Sequence, residues 1–265
     1  MAKRMNDEKN PTQPQLSSSA KLHAREHFYE HDSALAKIKA IFPQTDKKLR
    51  ILDVGCGDGR LVVALIEQGH TVTGLDINET AIDQAKKRGL TAIKADLESP
   101  WPVDSSQYDI ILMLDVLEHV VDQNHLLAES RRVLKANGCL IIAYPNHFDI
   151  RNRLKMLLGG GIVHWSHTKH ENANAPDYSH LRFLRFEDLI QLIKNHGFAT
   201  EQLQFNFMGG GIIPRRLLPS SVRKWLLRRY PNLLSGKFIL RVVKADGKDL
   251  IQEKTVLLDK TVAGI

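Results

Sequence analysis

Along the first 146 residues, apolar positions follow two alternating rhythms. "RILDV", "TVTGLD", "LTAIKAD", "YDIILML" and "CLIIAYPN" are short apolar runs bounded by turn residues, as expected of buried strands. Between them the spacing becomes helical. "SALAKIKAIFP" puts Leu35, Ile38, Ile41 and Phe42 on one face, with Asp32 or Ser33 as cap and Pro43 as stop. "GRLVVALIEQG", "ETAIDQAKKRG" and "NHLLAESRRVLKANG" read as helices that each stop at a glycine. The "YDIILML" run is the most apolar and is expected at the centre of a sheet. Such alternation predicts an α/β fold: a mostly parallel sheet, helices on both faces and right-handed crossovers.

The rhythm breaks after Asn146. Residues 147–180 are rich in Gly, His, Asn and Asp and contain no clean strand pattern. "RFEDLIQLIKNHGF" then restores a helix, with Phe186, Leu189, Leu192 and Ile193 on one stripe. "TEQLQFNFM" and "KFILRVVKAD" read as strands either side of an irregular basic stretch at 209–234. The pattern predicts a disordered tail over 1–20 and one domain over 21–250. Insertions at about 147–180 and 209–234 interrupt that domain near the ligand edge of the sheet, and residues 251–265 form a C-terminal tail.

Composition narrows the classes. The chain has 265 residues, of which 43% are hydrophobic and 25% charged, an ordinary balance for a globular protein. No run reaches the length of a membrane span. The first 20 residues lack the apolar core of a secretory signal. Cys56 and Cys139 stand in unrelated contexts and supply neither a disulfide framework nor a cysteine metal cluster. A cytoplasmic protein is expected. Residues 1–150 carry 18 Lys/Arg against 21 Asp/Glu, and residues 151–265 carry 19 against 9. The net charge of +7 therefore belongs to the second part, which could suit nucleic acid, a lipid surface or an anionic substrate.

The candidate chemistry begins at "ILDVGCGDGR". A strand that ends in tight glycines lets backbone N–H groups approach a ligand. The spacing is Gly55-x-Gly57-x-Gly59, and Arg60 stands where the dinucleotide fingerprint has its third glycine. Asp53 and Asp58 flank the turn, a poor environment for a diphosphate. No G-K-[ST] follows, so a P-loop is excluded. Asp76, closing the second strand, suits a ribose diol or a helix N-cap. Asp96, after the third, suits an exocyclic adenine amine or a surface turn. These residues form a row on the edge where open α/β sheets bind ligands.

"ILDVGCGDG", "GLDIN", "KADLE", "YDIILMLDVLEHV" and "RVLKANGCLIIAYPN", in that order, resemble the successive motifs of class I S-adenosylmethionine-dependent methyltransferases. The resemblance is close over about residues 28–146 and weaker to about residue 244. It implies a Rossmann-like sheet of seven strands in the order 3-2-1-4-5-7-6, the seventh antiparallel, and S-adenosyl-L-methionine as cofactor. By this resemblance Asp53, Gly55, Cys56 and Gly57 cradle the methionine part, Asp76 with Ile77 holds the ribose, and Asp96 with Leu97 meets the adenine. Asp115 lines the site near the methyl group, and Glu118 and His119 complete the family's "LEH" turn. The stretches "YPN", "RNRLKMLLGG" and "SHLRFLRFEDLIQLIKNHGF" resemble the type 11, or MetW-like, subgroup. They make Tyr144, Asn146, His180 and Arg182 candidates for a substrate contact or lid.

In-line methyl transfer needs alignment of nucleophile, methyl and sulfur, and a base only when the acceptor enters protonated. Asp115 and His119 are the candidate bases, although His119 also suits a bracing role. His164, His167 and His170 are spaced by threes, but their flanks lack a metal-site pattern, and no metal is expected. In "PSSVRKWLLRR" a helix capped by Ser220 or Ser221 would place Val222, Trp225 and Leu226 on a stripe beside Arg223, Lys224, Arg228 and Arg229. It suits packing on the domain, or a peripheral membrane contact through 212–234. No N-P-P-[YF] follows the fourth strand, and no nucleic-acid-binding module is present, so a nucleic-acid partner is not expected. The expected acceptor is a small or lipid-like molecule carrying an O, N or C nucleophile. The alternatives are a non-catalytic S-adenosylmethionine-binding regulator, or a methyltransferase of RNA or protein.

Overall fold

The computed structural model describes Ile38 and residues 40–161, 180–207 and 219–245. The two predicted tails, most of the first predicted helix and the 164–170 histidines lie outside the described residues. Seven strands form one sheet: β1 (Arg50–Val54), β2 (Thr71–Asp76), β3 (Thr91–Lys94), β4 (Tyr108–Leu114), β5 (Leu134–Pro145), β6 (Phe198–Phe207) and β7 (Ser235–Lys244). Their order is β3-β2-β1-β4-β5-β7-β6. The first five are parallel, and β7 runs antiparallel between β5 and β6. The expected order and the reversed seventh strand are both present.

Two apolar cores follow from the period of two along each strand. Ile111 and Met113 of β4 join Leu52, Val54, Leu140 and Ile142 on one face. Ile110 and Leu112 join Ile51, Val72 and Ile141 on the other. Helices α1 (Val63–Glu67) and α2 (Glu79–Lys87) contribute Leu65, Ile82 and Ala85 to the second core. Helices α3 (Gln123–Val133) and α5 (Phe186–Asn195) contribute Leu126, Leu127, Leu189 and Ile193 to the first. Of the remaining helices, α4 (Ile150–Leu157) lies within the first predicted insertion, while α6 (Ser220–Arg229) and α7 (Pro231–Leu234) lie within the second.

The helix ends differ from the sequence pattern in three places. α1 starts only at Val63, because the glycine turn continues through Gly59, whose backbone is left-handed (φ 74°). α3 stops at Val133, before Gly138, since Leu134 already pairs with Tyr108 as strand. The pairing then skips from Leu134 to Cys139, and Gly138 serves this bulge and not a helix stop. A Cβ there would lie 2.9 Å from the Asp109 carbonyl oxygen and 2.7 Å from Leu134 Cδ1. At α6 the N-cap is Pro219, and neither predicted serine caps the helix with its side chain.

The bulge gives a measurable contrast. Gly138→Ala is expected to destabilise the fold by about 1–3 kcal/mol through the clash with a backbone oxygen. At Gly161 an added Cβ meets nothing within 4 Å, and Gly161→Ala is expected to change stability by less than about 0.5 kcal/mol. Urea unfolding of both variants checks the pair.

Candidate active site

The parallel strands deliver their C-terminal ends to one edge. Asp53 is the penultimate residue of β1, Asp76 is the last of β2, and Asp115 directly follows β4. The glycine turn is tied to β2 by two donors, since Gly55 N–H and Cys56 N–H both bond the Leu75 carbonyl, at 2.8 and 3.0 Å. Gly57 N–H donates to Asp76 Oδ2 at 2.7 Å. A side chain at Gly55 would meet Val116 Cγ2 at 2.7 Å, so only glycine lets the turn pass beneath the residues after β4. At Gly57 a Cβ would meet nothing within 4 Å, which leaves open space on that side of the turn.

Asp53 is 3% exposed. Burial, and then the negative charge of Asp76, push its carboxyl up to about 7. Such a group is poised to ionise when a cation arrives. Asp58 does not offer its charge to the site in the way the sequence suggested. It pairs with Arg60 at 2.6 Å and Arg88 at 3.3 Å. Burial raises its pKa, but the bonds and charges of these arginines more than offset that and hold it below the usual carboxylate range. The Cys56 side chain packs into the second core against Gly74, and burial pushes its thiol up to about 12. Only its backbone remains for a ligand, and it is not a nucleophile at neutral pH.

The N-cap of α2 is Asn78, which accepts from Ala81 N–H, and not Asp76. Asp76 instead accepts from Gly57 N–H on one oxygen and Asn78 N–H on the other, at 2.7 and 2.8 Å. Each oxygen keeps a further lone pair for a diol. Ile77 is 64% exposed beside it. Asp96 is exposed and accepts from Glu98 N–H, while Leu97 packs in part on the first core.

Asp115 has a left-handed backbone (φ 57°), uncommon outside glycine. Its carboxylate pairs with Lys237 Nζ at 2.5 Å, reaching across from β7. The same turn carries Glu118, which is fully buried, and His119, whose side chain is 40% exposed. His180 reaches this turn from the end of the first predicted insertion. Its ring lies edge-on to His119, with centroids 4.7 Å apart, and its Nδ1 is 2.7 Å from His147 Nε2. The sequence reading did not anticipate that Glu118, His119, His147 and His180 would gather. The signal in the sequence was the short "LEH" run after the fourth strand.

Two other candidates are occupied inside the protein. Tyr144 is fully buried; its hydroxyl donates to Arg182 O and accepts from Leu184 N–H. Asn146 donates to the carbonyls of Asn232 and Ser235 and accepts from Phe148 N–H. Arg182 donates to Val121 O. These contacts tie the polar side-chain atoms of Tyr144 and Asn146 to neighbouring backbone groups.

Residues 23–203 match the family model described as a methyltransferase domain. The chain is 35% identical over 161 residues to the ubiquinone biosynthesis O-methyltransferase of Pelagibacter ubique, covering 59% of this chain and 64% of that protein. It is 28% identical over 160 residues to the protein of that name from Saccharophagus degradans, covering 58% and 65%. The chain thus spans a little under two thirds of these curated relatives. Among solved structures, the fold is shared with magnesium protoporphyrin IX methyltransferase from Synechocystis, which has SAH bound. The TM-score is 0.55 at 18% identity, covering 88% of this chain and 90% of that one.

The residues at this edge fit S-adenosyl-L-methionine, which carries an ammonium, a sulfonium and a ribose diol but no phosphate. A buried carboxyl that ionises next to a cation, a diol-accepting acid and an open glycine turn match those groups. In the free protein, Asp53 stabilises the fold most below its ordinary carboxylate range, and that contribution is lost as pH rises through about 7. If the cofactor selects the ionised form, binding at pH 6 should release protons, and affinity should rise about fivefold from pH 6 to pH 7. Calorimetry in buffers of different ionisation enthalpy checks this, and Asp53→Asn is expected to abolish the proton release. Asp76→Ala is expected to weaken cofactor binding at least tenfold while costing only about 1 kcal/mol of stability, because Asn78 still caps α2.

Proposed function

Because the chain belongs to the methyltransferase domain family and is an S-adenosyl-L-methionine-dependent enzyme, we propose that it methylates an oxygen of a hydroxylated, lipid-like acceptor presented at a membrane surface. The cofactor supplies a methyl group already activated on a sulfonium. The chain's own task is therefore alignment and exclusion of water. Asp53 and the 55–57 turn hold the amino-acid end, Asp76 the ribose and Asp96 the adenine. Lys237 fixes Asp115 in its left-handed setting at the end of β4, facing the acceptor. The hydroxyl proton must leave as the methyl arrives, and Asp115 and His119 are the groups at that edge able to assist.

The observation that carries the acceptor class is apolar surface where a soluble substrate would need none. Trp225 of α6 is 59% exposed, amid Arg223, Lys224, Arg228 and Arg229. Leu157 and Leu158, at the end of α4, are 80% and 86% exposed, after Arg151, Arg153 and Lys155. Val222 and Trp225 of the predicted stripe are thus turned outward, whereas Leu226 packs in part beside Leu227, a residue outside that stripe that anchors α6. Basic helices exposing Trp and Leu suit an anionic lipid surface. Among the described residues no helix is long and apolar enough to cross a membrane. The relatives' name supports oxygen as the atom methylated.

Labelled methyl from S-adenosyl-L-methionine, supplied with cell extract, is expected in the lipid fraction as an alkali-stable ether. Label confined to protein or RNA sinks the proposal. Flotation on anionic vesicles is expected to carry the protein at low salt, and the double variant Leu157→Glu/Trp225→Glu is expected to bind about tenfold less well.

A further inference from the structure

We propose that Glu118, His119 and His180 form a binding site for a divalent cation of the zinc or manganese type. The three side chains come from two distant stretches of chain, yet one ligand atom from each lies within 4.8 Å of the others. His119 Nε2 is 4.0 Å from Glu118 Oε1. An ion about 2.1 Å from each donor draws such atoms to roughly 3–4 Å apart, so closure asks only for small side-chain rotations. Two imidazoles and one carboxylate form a donor set of intermediate hardness, suited to zinc, manganese or ferrous iron and less to calcium or magnesium.

The site is built by the backbone as well as by its donors. Leu181 N–H and Arg182 N–H both donate to the Glu118 carbonyl, at 2.7 and 3.2 Å. The residue that follows His180 is thus clamped to the residue that precedes His119. Tyr144 reinforces the clamp from below, since its hydroxyl bridges Arg182 O and Leu184 N–H. His147 adds an outer partner: the 2.7 Å contact of its Nε2 with His180 Nδ1 orients that ring. Metal-binding imidazoles are commonly oriented through their second nitrogen in this way. Burial points the same way. Glu118 and His180 are buried, whereas His119 is partly open, which gives a site closed on the protein side with one solvent-facing flank, as catalytic metal sites require.

Asp115 lies three residues before Glu118, so an ion here would neighbour the acceptor edge and could polarise an acceptor oxygen, with its proton leaving to water or Asp115. That last step rests on the function proposed above; the binding site does not.

The test uses the full chain without an affinity tag, stripped with chelator and dialysed against Zn²⁺ or Mn²⁺. About one equivalent of tightly held metal is expected, together with a rise in melting temperature. His119→Asn, on the half-exposed flank, and the near-isosteric Glu118→Gln should each lower metal affinity at least tenfold. His119→Asn should leave the melting temperature of the metal-free protein unchanged, which separates loss of the site from loss of the fold. His125→Asn, away from the cluster, should keep full binding. No saturable binding to the wild-type chain, or binding retained in both cluster variants, overturns the proposal. Metal bound as predicted, with calorimetric cofactor affinity unchanged by chelator, supports it even if no lipid is methylated.

Discussion

The candidate site depends on how the glycine turn is fastened to its neighbouring strand. The Leu75 carbonyl takes two backbone donors from the turn, and the carboxylate of the next residue takes a third from Gly57. These three bonds join the ends of β1 and β2 into one unit. The same aspartate raises the proton affinity of buried Asp53. Backbone geometry and electrostatics of the seat therefore share one residue, and neither can be changed there without the other.

Much of the first half of the fold could be read from the chain, because parallel strands buried on both faces leave continuous apolar runs. Asp53, Asp76 and Asp96 stood out for the same reason: strand ends are easy to locate, and an acid that closes an apolar run is conspicuous. Helix limits were harder to read. Gly138 and Ser220 look like a stop and a cap by residue type, but tertiary demands override both. A bulge beside Asp109 claims the first, and α6 begins on Pro219 with no side-chain cap.

The rim of the site was least legible. Tyr144 and Asn146 lie next to the strand end in sequence, as a substrate contact would, yet their polar atoms are spent on loops that return from residues 182–184 and 232–235. Asp58 is an acid by composition, but in space it is paired with two arginines. The histidine assembly joins residues up to 62 positions apart, Glu118 to His180. No periodicity records such a meeting, because it is set by where a long connection lands and not by local propensity.

That landing point also bears on how the protein could diversify. The segment after α4 re-enters the described fold through two backbone bonds to the Glu118 carbonyl. Main-chain bonds of this kind do not depend on side-chain identity. The side chains of Leu181 and Arg182 can therefore change while their main chain stays registered to this turn. A lineage could in this way revise what it recognises without reworking the cofactor seat.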